Sequence, residues 1–366
     1  MHNSIGLYIH IPFCKNKCLY CDFYSTKSDE SGYDEYLNEL KNKIFYWSLK
    51  IKERVSTVYF GGGTPSVLGA KRLCVLLEYI KDNFNVMPDA EITVEINPDT
   101  GKNIDFLSLS KAGFNRISVG MQSAVTNELK ALGRIHDTND VILTVDSAKK
   151  AGLVNISLDL MIGIPNQTIE TLKKSLEFCK ECGVVHISSY ILKIEENTPF
   201  FRMQNNLMLA DDDIQADMYL YMVDLISKLG YKQYEISNFS IPGYESKHNI
   251  NYWRCGEYIG IGPSAHSFYN GNRFYYNRSM SKFVKNEIVF DGIGGSEEEF
   301  VMLSLRLKSG LSFYEYTKRF GKAIPEKLIE KAERYAKSGF ININSNSISF
   351  TPKGFLVSNT ILSELL

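Results

Sequence analysis

No stretch of the 366 residues offers the run of ~20 apolar residues that a bilayer crossing needs. The start lacks the basic, apolar and small-residue order of a secretory leader, so the expected setting is the cytoplasm. An excess of one charge is missing too. Lys and Arg number 41 and Asp and Glu 42, a net of −1, so no overall field draws the chain to nucleic acid. Seven cysteines, an odd number with no sign of secretion, do not make a disulfide framework. What is there, 44% hydrophobic and 23% charged residues, describes an ordinary soluble protein. At this length a large domain plus a smaller one is expected.

Three of the cysteines stand together in Cys14-Lys15-Asn16-Lys17-Cys18-Leu19-Tyr20-Cys21, just after an apolar run, Ile5 to Ile11, that reads as a strand. Three thiolates on one loop can each take one iron of a four-iron cubane, leaving the fourth iron open to a small molecule. A Cys₃His zinc site recruiting His10 is the alternative. Zinc sites more often use two separated CxxC pairs, and no partner pair stands nearby. The CxxxCxxC spacing and the following Asp22-Phe23 resemble the radical SAM superfamily, which implies a [4Fe-4S] cluster with S-adenosylmethionine on its open iron.

From residue 1 to about 230, short β-rich runs alternate with helical patterns. Strands are expected over Leu7–Ile11, Thr57–Phe60, Glu91–Ile96, Arg116–Val119, Asn155–Ile162 and His186–Leu192. Helices are expected over Tyr33–Trp47, Lys71–Asn83, Ile104–Ala112, Asp137–Ala151 and Ile169–Cys182. Six such units predict an α/β fold with a parallel sheet, curled as a partial (β/α)₆ barrel. Such barrels carry their sites on loops at the C-terminal ends of the strands. Five of the strands here exit into polar or glycine-rich loops: the cysteine loop, Gly61-Gly62-Gly63-Thr64-Pro65, Glu95-Ile96-Asn97-Pro98, Gly120-Met121-Gln122-Ser123 and Gly163-Ile164-Pro165 after Asp159. Glycine, proline and asparagine also simply make turns, so the weight lies in their convergence on one rim.

The glycine triplet suits close backbone approach to a ligand, and its N–H and C=O groups suit the amino acid end of S-adenosylmethionine. No Gly-Lys-Ser/Thr follows it, which disfavours a phosphate loop. Glu95 and Asp159 are strand-end carboxylates suited to ribose hydroxyls or the ammonium, Gln122 both donates and accepts, and Arg134 suits a carboxylate.

Tyr8-Ile9-His10-Ile11-Pro12-Phe13-Cys14, Phe60-Gly61-Gly62-Gly63-Thr64-Pro65, Val94-Glu95-Ile96-Asn97-Pro98, Gly120-Met121-Gln122-Ser123 and Gly133-Arg134-Ile135-His136 resemble the oxygen-independent coproporphyrinogen III oxidase family. Within it the chain is most similar to the HemW branch of heme chaperones. The resemblance implies that Cys14, Cys18 and Cys21 ligate the cluster. It implies that Tyr8, Gly62, Gly63, Thr64, Glu95, Gln122, Arg134 and Asp159 contact S-adenosylmethionine, with Tyr20 beside the cluster. Two departures separate the chain from the true oxidase. Phe23 stands where that enzyme has a further cysteine, and Cys14 lies almost at the start, where the oxidase carries a long N-terminal arm. Gln122, Arg134 and Asp159 also resemble the oxidase's second S-adenosylmethionine site, whose occupancy the missing cysteine and arm leave open.

Residues 231–366 form an expected second region, α+β in character. Its Ser246-Lys247-His248-Asn249-Ile250-Asn251-Tyr252-Trp253 resembles a HemW signature. A histidine among aromatic residues suits heme iron. A hydrogen-bonded structural histidine is the alternative for His248, and His266 and Cys255 are the further heme candidates. From about residue 297 the order reads as a winged-helix-like module: three helical stretches, Phe340–Ile343, an Asn344-Ser345-Asn346 turn, Ser347–Phe350 and a last helix. Winged helices often bind DNA, which raises a DNA-binding regulator as a competing reading. Residues 291–366 hold ten Lys or Arg and nine Asp or Glu, without the basic face that reading needs, so a lid or docking module is favoured. Cys74, Cys179 and Cys182 read as helix packing, Cys179 continuing the apolar face of Leu172 and Leu176.

The expected function is therefore a heme chaperone that carries a [4Fe-4S] cluster, S-adenosylmethionine and heme, and hands heme to acceptor hemoproteins. Coproporphyrinogen oxidation is the runner-up and is expected to be absent; a radical SAM enzyme acting on another tetrapyrrole is a third reading. Nucleic acid is not an expected partner. Peripheral membrane contact and homodimerisation are left open.

Overall fold

A computed structural model describes residues 4–366. Six parallel strands run in sequence order across the centre of one twelve-stranded sheet: β1 (Ser4–Ile11), β2 (Arg54–Gly62), β3 (Val86–Ile96), β4 (Arg116–Gln122), β5 (Ile156–Ile162) and β6 (His186–Ile191). Each lies within three residues of its expected strand at the N-terminal end, except β3, which starts five residues earlier. The intervening helices are Glu30–Ser48, Gly69–Asn83, Phe106–Ala112, Thr138–Lys150 and Ile169–Glu181. The chain therefore forms the expected partial α/β barrel.

Strands from the stretch after residue 230 extend this sheet at both edges. β7 (Lys232–Gln233) and β8 (Asn238–Ser240) follow β6, with β8 antiparallel to it. β9 (Tyr258–Ile261) pairs parallel to β1 and leads to an antiparallel set of β10 (His266–Tyr269), β11 (Asn272–Tyr276) and β12 (Ile288–Ile293). Strands this short carry little periodicity, so the sequence does not announce them. A smaller antiparallel sheet, β13 (Leu311–Ser312), β14 (Ile341–Ile343) and β15 (Ser347–Phe350), packs with the helices Glu297–Ser304, Phe313–Phe320 and Glu326–Lys337.

Alternation within the barrel strands sorts the two faces. Leu7, Ile9, Val58, Phe60, Val94, Ile117 and Leu158 are fully buried on one face, in the same core as the helix residues Leu40, Ile44, Leu73 and Leu76. The opposite face is polar and aromatic. Tyr8 sits beside Tyr59, Tyr59 beside Thr93 and Glu95 beside Ser118. Side-chain hydrogen bonds cross this face from strand to strand. Ser118 Oγ donates to Asp159 at 3.0 Å, and Ser157 Oγ lies 2.7 Å from His186 Nδ1. Arg116 is 2% exposed at its centre. The polar side chains of this lumen are thus fixed by one another.

Candidate functional site

The cysteine loop leaves β1 at Ile11 and is pinned at several points. Cys14 N–H donates to Thr26 O at 3.1 Å, Leu19 N–H to Leu132 O at 3.2 Å and Phe200 N–H to Leu19 O at 3.0 Å. From the C-terminal region, Arg278 grips the Asp22 carboxylate with Nη1 at 3.1 Å and Nη2 at 2.9 Å, and Met280 N–H donates to the Tyr24 hydroxyl. Cys14, Cys18 and Cys21 are all half-buried free thiols, and burial pushes the Cys18 and Cys21 thiols above their ordinary range. Cys14 Sγ lies 3.4 Å from Thr64 Oγ1, which joins this loop to the glycine-rich one.

His10 does not join the cysteines. Its Nε2 lies 3.0 Å from the Tyr24 carbonyl, which can only accept, so Nε2 carries the proton and Nδ1 accepts from the Tyr8 hydroxyl at 3.1 Å. Both nitrogens are used, and the Cys₃His zinc reading loses its fourth ligand. Among the described residues no three His, Cys, Asp or Glu side chains converge to hold a single metal ion. A cubane asks instead for thiolates spread over separate irons, which is what this donor set can supply.

The glycine triplet corrects one expectation. Its N–H groups are not free for a ligand: Gly62 N–H donates to Glu95 Oε2 at 3.3 Å, Gly63 N–H to Ile11 O and Thr64 N–H to Phe13 O, both at 2.8 Å. The glycines serve close packing. A Cβ on Gly63 would stand 2.7 Å from Phe13 O, and one on Gly62, whose φ is 109°, would stand 2.5 Å from the His10 ring. The loop therefore seals the cysteine loop against β2.

Glu95 accepts from the Tyr59 hydroxyl at 2.8 Å on one oxygen and from Gly62 N–H on the other. Burial raises its pKa to about 7 despite these donors. Asp159, held by Ser118 and Ser157, is likewise raised by burial. The buried Arg116 guanidinium offsets part of this shift at both carboxyls, and the pair, set among hydroxyl donors, fits the ammonium and ribose hydroxyls of an adenosylated amino acid.

A second grouping lies beside Cys18. Arg134 donates to the Tyr20 hydroxyl at 2.8 Å and to Asn97 Oδ1 at 3.1 Å. Its buried Nε has no partner, nor has Asp99 Oδ1, and both line a pocket with Lys15, Cys18, Thr64 and Asn97. An orphaned guanidinium nitrogen and an orphaned carboxylate oxygen around one cavity suit a zwitterionic ligand. Gln122 adopts φ of 67°, and its amide nitrogen would stand 3.0 Å from a Cβ at Gly120, with the Arg134 guanidinium in ordinary contact just beyond. That backbone conformation is costly for a non-glycine residue and sets the Gln122 side chain beside Arg134. Sequence reasoning missed Tyr59, Asn97 and Asp99. Asn97 and Asp99 flank the Pro98 of a motif it did read, whereas nothing local singles out Tyr59.

The heme candidates separate. His248 is 1% exposed. Its Nδ1 lies 2.8 Å from Thr57 Oγ1 and its Nε2 2.7 Å from the Tyr252 hydroxyl. Neither nitrogen offers iron a lone pair, so the hydrogen-bonded structural histidine is the reading the geometry favours. Cys255 is 2% exposed with its sulfur against the Arg319 guanidinium. His266 opens β10 at the surface with its ring stacked on Tyr275 at 4.9 Å.

Residues 8–179 match the radical SAM superfamily and residues 298–357 the HemN C-terminal domain. The chain is 36% identical to the heme chaperone HemW of Lactococcus lactis, covering 98% of this chain and 96% of that protein. HemW of Bacillus subtilis is 32% identical over 98% of both, and HemW of Escherichia coli 41% identical over 72% of this chain and 69% of that one. Coproporphyrinogen III oxidase HemN from Escherichia coli, a radical SAM enzyme, shares the fold with a TM-score of 0.83 over 99% of this chain and 90% of its own, at 21% identity. Identity at this level along nearly the whole length places the chain in the HemW heme chaperone family of the radical SAM superfamily.

Proposed function

We propose that this protein binds heme and delivers it to acceptor hemoproteins, with Cys14, Cys18 and Cys21 holding a [4Fe-4S] cluster at the barrel mouth. The observation that carries the reading is full-length identity to proteins described as heme chaperones. A cluster bound there supplies one-electron chemistry at an iron left open for S-adenosylmethionine. Around it, Thr64 abuts Cys14, Glu95 and Asp159 offer carboxyl groups inside the lumen that a bound cation would hold ionised, and Tyr20 and Asn97 orient Arg134. Tyr8, between His10 and Tyr59, shapes the wall. Phe23, 67% exposed, supports a carrier over a decarboxylase, because the resemblance places a further oxidase cysteine there.

His266 is the heme contact we propose, since it alone among the three candidates faces solvent and carries an aromatic neighbour for the macrocycle. Titration with hemin, followed by mixing with an apo-hemoprotein, tests the function. A Soret band that moves to the acceptor is the expected result, weakened in His266→Ala. Absence of any heme complex would remove the chaperone reading.

A further inference from the structure

The helix Lys247–Trp253 enters the lumen from the end opposite the cysteine loop, and its anchor is β3 itself. Glu91 accepts from His248 N–H with Oε1 and from Lys247 N–H with Oε2, each at 3.0 Å. Four residues further along the same face of the same strand stands Glu95. Between them lies the His248 ring, hydrogen-bonded to Thr57 on β2 and stacked on Tyr59 two residues on, with centroids 5.0 Å apart and planes 25° apart. Tyr59 is the residue whose hydroxyl donates to Glu95.

We infer that His248 is a positioning residue for the cofactor pocket: it presses on Tyr59 from below and so fixes the Glu95 carboxylate. The inference rests on the reading that Glu95 meets the ammonium or ribose of S-adenosylmethionine. Two glycines leave room for this stack. A Cβ on Gly6 would come within 3.4 Å of the His248 ring and 3.0 Å of Thr57 Oγ1. One on Gly61 would come within 2.9 Å of the Tyr59 ring and 3.0 Å of Glu95 Oε1. Aromatic contact and hydrogen bonds at both ring nitrogens hold the imidazole in one orientation, which a residue acting only as filler does not need. The C-terminal region thereby reaches the barrel's ligand pocket without touching the ligand.

The test is the dissociation constant for S-adenosylmethionine on the full-length, cluster-reconstituted protein by equilibrium dialysis, in His248→Ala, Tyr59→Phe, the pair and Glu95→Gln. His248→Ala is expected to weaken binding about tenfold, the scale of one displaced charge-assisted hydrogen bond, with iron content and heme affinity unchanged. Tyr59→Phe is expected to do the same, and the pair to be no weaker than Tyr59→Phe alone. Should His248→Ala fail to fold, His248→Gln keeps groups for Thr57 and Tyr252 while losing the stacking ring, and carries the same expectation. Unchanged binding in the His248 variant beside a loss in Glu95→Gln overturns the positioning role and leaves the pocket reading standing. Unchanged binding in Glu95→Gln removes the pocket reading and the positioning role with it. Full additivity of His248→Ala with Tyr59→Phe, or a loss of heme affinity, also overturns the inference.

Discussion

The cysteine loop and the helix around His248 are both short sequence signatures, and the structure treats them in opposite ways. In the loop, Cys14, Cys18 and Cys21 are half-exposed thiols, held by backbone bonds around them. In the helix, His248 is buried, with each ring nitrogen and its backbone N–H given a partner. A ligand residue needs a lone pair to spare, and only the first signature keeps any. Residue type and spacing announce chemistry; the partners decide whether the chemistry remains available.

Loss of the cluster is the largest effect that would sharpen the contrast. Cys18→Ser is expected to abolish cluster iron after anaerobic reconstitution, whereas His248→Ala retains it; iron analysis with visible absorption checks both. Acid is next. Burial lowers the pKa of His10 to about 4, of His136 to about 4 and of His248 to about 3, and holds His186 well below its ordinary value. Groups with depressed folded values contribute stability present above the unfolded pKa of ~6.5. That stability drains as pH falls toward 4, a loss on the order of several kcal/mol. Unfolding followed by circular dichroism should show a falling midpoint across this window, with His248→Gln flattening it.

The carboxylate gives a smaller effect, also lost on acidification but read in ligand affinity rather than in folding. Glu95 is neutral below about 7 in the free protein, so a cation must displace a proton to bind there. Affinity for S-adenosylmethionine should rise by up to about tenfold per pH unit approaching 7 and then level, with Glu95→Gln flat across the range. Gly61→Ala, which crowds Tyr59 and Glu95 together, should weaken the same affinity severalfold at constant iron content. The smallest change expected is Cys182→Ala: Cys182 ends a helix with its neighbour Cys179 packed in the core, so thermal stability should shift by no more than about 1 kcal/mol.

Much of this was legible in the chain because it is local. The six barrel strands announce themselves by apolar runs that alternate with amphipathic helices, and CxxxCxxC needs only eight residues to be read. Glu95 and Gln122 stood out as polar residues at strand ends, Asp159 as the carboxylate that β5 carries, and Arg134 by its Gly-Arg-Ile-His loop. The rest depends on distance in sequence. His248 meets Thr57 and Glu91, 191 and 157 residues away, and no local pattern reports such a pairing. The glycine loop was only half legible for the same reason, since the N–H groups of Gly62, Gly63 and Thr64 go to Glu95, Ile11 and Phe13 rather than to a ligand. Tyr59 looked like an ordinary strand aromatic until its hydroxyl was seen on Glu95.

The central claim is that this radical SAM barrel serves a heme carrier and not a propionate decarboxylase. The most direct measurement is anaerobic: the reconstituted protein with reductant, S-adenosylmethionine and coproporphyrinogen III, products read by mass, and hemin titrated into the same preparation. The account predicts an intact cluster, a heme complex and no protoporphyrinogen. Protoporphyrinogen that forms with the native chain and vanishes in Cys18→Ser would contradict it.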